Sequence, residues 1–248
     1  MSNKDPYTQT FTVRGSKYDE AMKLVPDSRR EEFMAAVEEL SSLEGGRVLD
    51  VPAGGGYLQK YLPPRFDYQP FEPVKAFNNT TTYNHDSGLL PFPQLSCSVD
   101  AILSVAGIHH FSNKKPLFIE MARVTKPGGR LVLADVHCKS LVASFLDGYI
   151  DRNNSTGHHG YYLGEDTLEE LESCGWNVAS ARRKHYHWNF TSLKQMARFC
   201  ELLFDINRAD TSQIRVQLED ELGVDMASGG VGLRWDLYVI SASKNSQA

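Results

Sequence analysis

The stretch VLDVPAGGGYL, residues 48–58, joins an apolar run to a cluster of glycines. The apolar run is β-branched and reaches an acid at Asp50, which is typical of a buried parallel strand. Three consecutive glycines, Gly54 to Gly56, follow and lead into a helix-like segment. Glycines permit positive φ angles and let a ligand approach the bare backbone. Because open α/β sheets bind ligands at the carboxyl ends of their strands, this stretch predicts a strand followed by a binding loop.

Two other interpretations of this loop are an ordinary tight turn and a dinucleotide-binding loop. The dinucleotide pattern G-x-G-x-x-G needs a third glycine where helix and strand pack closely. Counted from Gly54, that position is Gln59, so the pattern fails. Glu72 lies at the end of the next predicted strand, where a carboxylate can accept both ribose hydroxyls of an adenosine ligand. Many strands end in an acid, so the ribose-binding role of Glu72 is supported only together with the motifs around it.

Strands and helices alternate on both sides of this loop. Further strands are predicted at residues 66–71, 99–105, 130–136, 176–187 and 232–243. A helix is predicted at residues 115–125, between two of these strands. Strands separated by helices of about a dozen residues indicate βαβ units and a parallel sheet.

Five motifs occur in order along the chain: the acidic, glycine-rich loop from Asp50 to Gly56, the strand-end acid Glu72, the element from Asp86 to Phe92, the strand from Asp100 to His110, and the Lys-Pro-Gly-Gly strand from Lys126 to Val136. With these motifs, residues 47–137 resemble the class I S-adenosylmethionine-dependent methyltransferases of the small-molecule type. That group includes the menaquinone and ubiquinone C-methyltransferases. The resemblance implies a Rossmann-like α/β fold, with a mostly parallel seven-stranded sheet and helices on both faces.

The resemblance also implies that the cofactor is S-adenosylmethionine. It assigns cofactor contacts to Tyr18, Asp50, Ala53, Gly54, Gly56, Glu72, Asp86, Ser87, Ser104 and Val105. Within this set, Asp50 and the glycine loop would hold the methionine portion, Glu72 the ribose, and Asp86 the adenine. Pro52 replaces the usual first glycine of the loop. Proline fixes φ and lacks an N–H, which the last residue of a strand tolerates.

Two histidines are candidates for catalysis. Methyl transfer to carbon or oxygen often needs a base, and histidine is the usual base near neutral pH. His109 and His110 follow a strand at the ligand-binding edge, and since neighbours cannot both face a pocket, we predict His109 as the catalytic residue. His137 follows the next strand at the same edge and is the second candidate. The alternative is that these histidines only pack the loops.

The N-terminal segment resembles a lid over the cofactor. Residues 13–44 would form the lid helices, with residues 1–12 as a flexible tail. Tyr18 would pack near the sulfonium, because a π-face suits a positive charge. Arg14 would either meet the methionine carboxylate or lie on the surface. The charged run from Arg29 to Glu32 predicts a solvated helical face.

The remaining length predicts a substrate cap within one domain of residues 13–248. Residues 139–163 and 190–230 exceed a minimal fold and, with the strand between them, are rich in aromatic side chains. These features favour a small, partly apolar or aromatic substrate. The alternatives are a non-methylation reaction that uses the bound cofactor, and a non-catalytic binding module.

Composition excludes several other classes of function. The 248 residues carry a formal charge of −5, which gives no general field for binding nucleic acid. No apolar run approaches the roughly 20 residues of a membrane span. The four cysteines form no CxxC pair, and His185 and His187 lack an obvious partner, so we predict no metal site. The expectation is a cytoplasmic monomer or homodimer acting on a small molecule.

Overall fold

The computed structural model of the chain describes residues 5–77, 88–227 and 229–245. It begins with helix α1, Pro6–Leu24, and helix α2, Arg30–Val37, which a 3-10 turn continues over Glu38–Leu40. Asp5 caps α1, since its Oδ1 accepts a hydrogen bond of 2.9 Å from the backbone N of Thr8. Because of this cap and Pro6 in the first turn, the helix begins inside the segment predicted to be a flexible tail.

Seven strands in the described ranges form one sheet: β1 Gly46–Asp50, β2 Phe66–Pro70, β3 Val99–Val105, β4 Thr125–Asp135, β5 Trp176–Phe190, β6 Val224–Ala227 and β7 Gly230–Lys244. Their order is β2-β1-β3-β4-β7-β5, and β6 pairs with β7. Strands β2, β1, β3 and β4 pair in parallel, whereas β7 runs antiparallel to β4, β5 and β6. The predicted Rossmann-like sheet of seven strands is confirmed, with antiparallel pairing confined to its C-terminal part.

The other helices are α3 Lys115–Val124, α4 Leu141–Phe145, α5 Asp151–Asn153, α6 Glu165–Ser173, α7 Leu193–Leu203 and α8 Thr211–Glu221. A π-helical turn over Leu146–Ile150 joins α4 to α5. After the glycine loop the chain forms only a 3-10 turn, Tyr57–Tyr61, because Pro63 and Pro64 leave no room for a longer helix. None of the helices in the described ranges is long and apolar enough to span a membrane.

Alternate residues of β3 show how the sheet separates two apolar cores. Ala101 and Leu103 belong to the cluster that includes side chains of α2 and α7. Ile102 faces the other way, into the cluster that includes Phe118 of α3 and Leu171 of α6. Both faces of the strand are therefore buried, as in parallel sheets covered by helices. In such sheets, ligands bind at the carboxyl edge of the parallel strands.

Candidate active site

Two neighbouring cavities lie at the carboxyl edge of the parallel strands. The strand-edge cavity is lined by Tyr7, Phe33, Asp50, Pro52, Ala53, Gly54, Tyr57, Leu58, Phe77, Val105 and Gly107. The histidine cavity is lined by Arg14, Glu32, His109, His110, Val136, Leu146, His158, Trp188, Leu203, Phe204, Trp235 and Leu237. Phe11, Tyr18, Arg29 and Ala106 line both cavities, so the two spaces share a wall.

Asp50 ends β1 and presents its carboxylate to the strand-edge cavity. The residue is 3% exposed, and Tyr68 donates its hydroxyl to Asp50 Oδ2 at 2.7 Å. Among the residues the structure describes, Tyr68 is the one hydrogen-bond donor to this carboxylate. Burial raises the pKa of Asp50 to about 7, although the hydrogen bond from Tyr68 acts to lower it. A cation that enters the cavity would favour the ionised form of this carboxylate.

The glycine loop wraps the same cavity with exposed backbone. Gly54 has a φ of +54°, and a Cβ built there would lie 3.7 Å from the Phe77 ring, an ordinary contact. Backbone conformation rather than lack of space therefore requires glycine at this position. Ala53 and Gly54 line the cavity, whereas Gly56 stands behind it and begins the following 3-10 turn with a φ of +74°.

Glu72 is buried and is bonded to Tyr7, a residue that the sequence did not single out. Tyr7 of α1 donates its hydroxyl to Glu72 Oε2 at 2.7 Å, and the Gly54 backbone N donates to the same oxygen at 2.8 Å. The backbone N of Val74 donates to Oε1 at 2.8 Å. Burial raises the pKa of Glu72 to about 8 against these hydrogen bonds. Tyr7 lines the cavity and stands between it and the carboxylate, so α1 is fastened to the predicted ribose-binding acid.

The end of β3 contributes backbone rather than side chains. Val105 lines the strand-edge cavity, but the Ser104 side chain is buried, and its Oγ has no hydrogen-bond partner in the described ranges. Ala106 has a φ of +50° and lines both cavities. No sequence signal marks Ala106, because alanine rarely adopts positive φ. Asp86 and Ser87, predicted for the adenine, lie outside the described residues.

The prediction of a solvated face over Arg29 to Glu32 is wrong for its two end residues. Arg29 is 2% exposed and Glu32 0%, and the two form a buried ion pair. The Arg29 guanidinium lies 5.2–5.6 Å from the ring centroids of Tyr18, Phe33 and Trp188. Trp188 donates its Nε1–H to Glu32 Oε2 at 2.6 Å. Strand β5 covers this side of α2, a contact that the spacing of charges within α2 does not reveal.

His109 is held by a buried carboxylate. Its Nδ1 lies 2.7 Å from Asp135 Oδ1, while Asp135 Oδ2 accepts from the backbone N of Ile108 and of His109 at 2.9 and 3.1 Å. Burial acts to raise the pKa of Asp135, but His109 and the hydrogen bonds hold that pKa below its usual value. Because Nδ1 faces Asp135, the other ring nitrogen, Nε2, is the one that can face a ligand.

Two more histidines, His110 and His158, line the cavity of His109. The expectation that the neighbours His109 and His110 cannot both face a pocket is wrong, because they lie in a 3-10 turn rather than in a strand. The His110 and His158 ring centroids lie 4.3 and 5.5 Å from that of His109, and 5.9 Å from each other. Asp147 Oδ1 lies 3.0 Å from His158 Nδ1 and orients that ring. Burial lowers the pKa of His110 well below 6.5 and also lowers the pKa of His158. The sequence did not place His158 here, since its loop is distant along the chain from His109.

The structure does not bring His137 into either cavity. It follows β4, and because successive side chains of a strand point to opposite sides, Val136 lines the histidine cavity while His137 turns away. The His137 ring packs edge-on against Tyr238 with centroids 4.8 Å apart, and its Nδ1 accepts from the backbone N of Lys139 at 3.1 Å. In the described ranges, no group of three or more potential ligands could hold a metal ion.

Aromatic side chains form the wall opposite the histidines. Trp188 of β5 and Trp235 of β7 stack with centroids 4.0 Å apart and an angle of 22°. Phe204, just after α7, continues the stack 6.1 Å from Trp235. Trp188 and Phe204 belong to the predicted aromatic cap, whereas Trp235 reaches the cavity from the closing strand. The antiparallel pairing of β5 with β7 produces this arrangement, because it sets Tyr186 opposite Trp235 and Trp188 two pairs further along, on the same face of the sheet.

Comparisons with known protein sequences agree on methyltransferases. A family model described as a methyltransferase domain matches residues 49–133. The demethylmenaquinone methyltransferase of Tropheryma whipplei is 35% identical over 179 residues, a match that covers 60% of this chain and 74% of the relative.

Solved structures agree in fold at lower identity. The YcgJ protein from Bacillus subtilis is 16% identical with a TM-score of 0.59, and the match covers 87% of this chain and 99% of that chain. The 4+2 cyclase SpnF is 15% identical with a TM-score of 0.60, and the match covers 98% of this chain and 97% of that chain. At these identities the likeness establishes the fold alone.

Proposed function

Since this chain belongs to the S-adenosylmethionine-dependent methyltransferases, we propose that it methylates a small, partly apolar or aromatic metabolite bound in the histidine cavity. The observation that carries this proposal is the wall shared by the two cavities. A cofactor in the strand-edge cavity and an acceptor in the histidine cavity meet at Tyr18 and Ala106. This arrangement holds two reactants together in a fixed orientation, which is a large source of rate acceleration in a displacement reaction.

The strand-edge cavity fits S-adenosylmethionine in its charges. Asp50 offers a buried carboxylate with a single described donor, which suits the ammonium group of methionine. Arg29 lines this cavity and Arg14 does not, so Arg29 replaces Arg14 as the proposed partner of the methionine carboxylate. The Tyr18 ring suits the sulfonium. When bound, the cofactor supplies an electrophilic methyl group.

Further cofactor contacts come from the glycine loop and the neighbouring acids. Ala53, Gly54, Gly56, Ser104 and Val105 are proposed as backbone contacts. Glu72 would accept hydrogen bonds from the ribose hydroxyls after the Tyr7 hydroxyl has moved away from its carboxylate. Asp86 and Ser87 remain the proposed adenine contacts.

His109 is the proposed general base. Its Nε2 would take the proton from an acidic hydroxyl, amine or carbon of the acceptor. Asp135 holds the ring and stabilises the imidazolium that forms, as the acid of a hydrolase triad does. His137 faces away from the cavity, so the catalytic role predicted for it passes to His109 alone.

The cap segments support a small acceptor. Leu146 and His158 come from residues 139–163, and Leu203 and Phe204 from residues 190–230, so both segments line the histidine cavity. These residues enclose the acceptor and exclude water, which strengthens electrostatic effects in the site. The name of the Tropheryma whipplei relative points to a quinone-type ring, and a wall of stacked indoles suits a flat ring of that kind.

Calorimetry and single-turnover kinetics test this proposal. We expect binding of both S-adenosylmethionine and its demethylated product, and transfer of one methyl group to a member of a panel of hydroxylated ring compounds, read by mass spectrometry. His109→Gln should lower the single-turnover rate by about a hundredfold to ten-thousandfold and leave cofactor affinity unchanged.

Three outcomes would contradict parts of the proposal. Failure to bind either cofactor form would refute the methyltransferase activity. An unchanged rate in His109→Gln would remove the base, while His137→Gln serves as the matched control that should react normally. Cofactor binding with conversion of a ring compound but no methyl transfer would favour the alternative of a non-methylation reaction.

A further inference from the structure

Arg14 is a buried cation without an evident counter-ion. It lies on α1, is 4% exposed, and lines the histidine cavity. Its Nε has no hydrogen-bond partner among the described residues. Asp205 acts on it electrostatically, but the Asp205 carboxylate pairs with Lys17 and accepts a hydrogen bond from Ser155. The guanidinium therefore lines the cavity with an N–H donor that no described residue accepts.

An unpaired buried charge is costly, because it loses water without gaining a partner. Burial lowers the pKa of Arg14 to about 10, which still leaves the group charged at neutral pH. The cost is offset when a ligand brings a negative group to the guanidinium. Arginine suits this role because its planar fork pairs with a carboxylate through two parallel hydrogen bonds.

Histidine rings surround Arg14 at this end of the histidine cavity. His109, His110 and His158 line the cavity with Arg14, and burial lowers the pKa of His110 and of His158, with the charge of Arg14 acting in the same direction. Asp147 Oδ1 lies 3.0 Å from His158 Nδ1 and makes no ion pair with Arg14 in the described ranges. This end of the cavity therefore offers a guanidinium beside ring nitrogens, a set of groups that suits a carboxylate.

Apart from the Arg29–Glu32 ion pair, the rest of the histidine cavity is largely apolar. The stacked rings of Trp188, Trp235 and Phe204 and the side chain of Leu237 face the polar end. A ligand that satisfies both ends has a flat apolar body and one acidic substituent. We propose that the acceptor is a ring-bearing carboxylate whose carboxyl group is bound by Arg14. This inference rests on the proposed function, since it takes the histidine cavity as the acceptor site.

Matched pairs of neutral and charged probes test the inference without any turnover. Benzoate with benzamide, and 1-naphthoate with 1-naphthamide, would be titrated calorimetrically into the protein with the demethylated cofactor present. For at least one pair we expect the carboxylate to bind at least about tenfold more tightly than the amide. Arg14→Met should abolish this preference while leaving the affinity of the amide unchanged. Arg30→Met, at an exposed position of α2, is the control that should retain it.

A thermal melt separates binding from a structural role. Removing an unpaired buried charge should leave the melting temperature of Arg14→Met equal to or above that of the wild type, and Arg14→Lys should retain part of the carboxylate preference. A large drop in melting temperature for both variants would assign Arg14 to the fold and overturn the inference. Equal affinities within both pairs, a preference that survives Arg14→Met, or no binding of any probe at millimolar concentration would overturn it as well.

Failure of the proposed function gives a different result. A protein that binds neither cofactor form but prefers the carboxylate through Arg14 would retain the anion site and lose the methyltransferase role. A protein that methylates only neutral acceptors would retain the methyltransferase role and lose the anion site.

Discussion

Glu72 has a buried carboxylate that accepts three hydrogen bonds, one of them from Tyr7 of helix α1. In the proposed complex, the ribose hydroxyls would replace the Tyr7 hydroxyl as partners of this carboxylate. The proposed ribose role therefore requires the Tyr7 side chain to move when the cofactor binds.

Replacement of Glu72 should weaken the cofactor site specifically. We expect Glu72→Ala to reduce the affinity for S-adenosylmethionine by about 1–3 kcal/mol, because a buried hydrogen-bonding partner is lost. Calorimetry measures the change. Asp67→Ala is the matched control, since Asp67 lies on β2, five residues before Glu72, but its side chain is 58% exposed. An affinity unchanged in Glu72→Ala would remove this residue from the ribose role.

The position of these site residues was predictable wherever backbone topology alone fixes it. Asp50 and Val105 end neighbouring strands and Gly54 closely follows one of them, so a strand pattern suffices to bring them together. Tyr7 and Ala106 were missed because one depends on how α1 packs and the other on a local φ of +50°. Neither property leaves a mark in the residue type.

At the scale of one element, a buried ion pair at the start of helix α2 connects this helix to strand β5. Arg29 and Glu32 lie in an aromatic enclosure to which Tyr18, Phe33 and Trp188 each contribute a ring. The hydrogen bond from Trp188 to Glu32 connects residues 156 positions apart. A sequence pattern shows that residues 30–37 are helical, but such a distant partner decides which side of the helix is buried.

Breaking this pair should destabilise the protein strongly. We expect Glu32→Ala to lower the free energy of unfolding by about 3–5 kcal/mol, because Arg29 would remain buried without its partner. Urea denaturation measures the change, and Glu38→Ala, an exposed acid just after α2, should cost about 0–1 kcal/mol. The double variant Arg29→Met with Glu32→Leu should recover much of the loss. Equal, small effects of Glu32→Ala and Glu38→Ala would contradict the interpretation.

At the scale of the whole molecule, two buried carboxylates make stability depend on pH. The pKa values of Asp50 and Glu72 are raised by burial to about 7 and about 8, from 3.8 and 4.5. The folded state therefore holds protons that the unfolded state has released. This contribution to stability is present below the unfolded pKa values and is lost as the pH rises through the folded ones.

Cofactor binding should offset the loss of stability that occurs as the pH rises. The ammonium and ribose groups favour the ionised carboxylates, so the rise in melting temperature caused by S-adenosylmethionine should be larger at about pH 8 than at about pH 6. Differential scanning calorimetry across this range measures it. Asp50→Asn should flatten the pH dependence, whereas Asp67→Asn should not. A cofactor effect that shrinks as the pH rises would contradict the two assigned pKa shifts.

The whole fold divides into a part that the sequence predicts and a part that packing decides. Residues 47–137 carry ordered motifs, and their strands β1, β3 and β4 pair in parallel as expected. The pairing of β5 with β7 was not predicted, because antiparallel register depends on contacts between segments far apart in the chain. The histidine cavity depends on that register, so its aromatic wall could not be derived from residue spacing.

The stacked indoles of Trp188 and Trp235 also give the protein an intrinsic optical probe. Two indoles 4.0 Å apart couple their electronic transitions, which produces a paired circular dichroism band and alters fluorescence. The chain has three tryptophans, and the other, Trp176, is held apart by a 3.1 Å hydrogen bond to the Phe118 carbonyl. Candidate acceptors can therefore be screened spectroscopically, with no label and before any reaction is known.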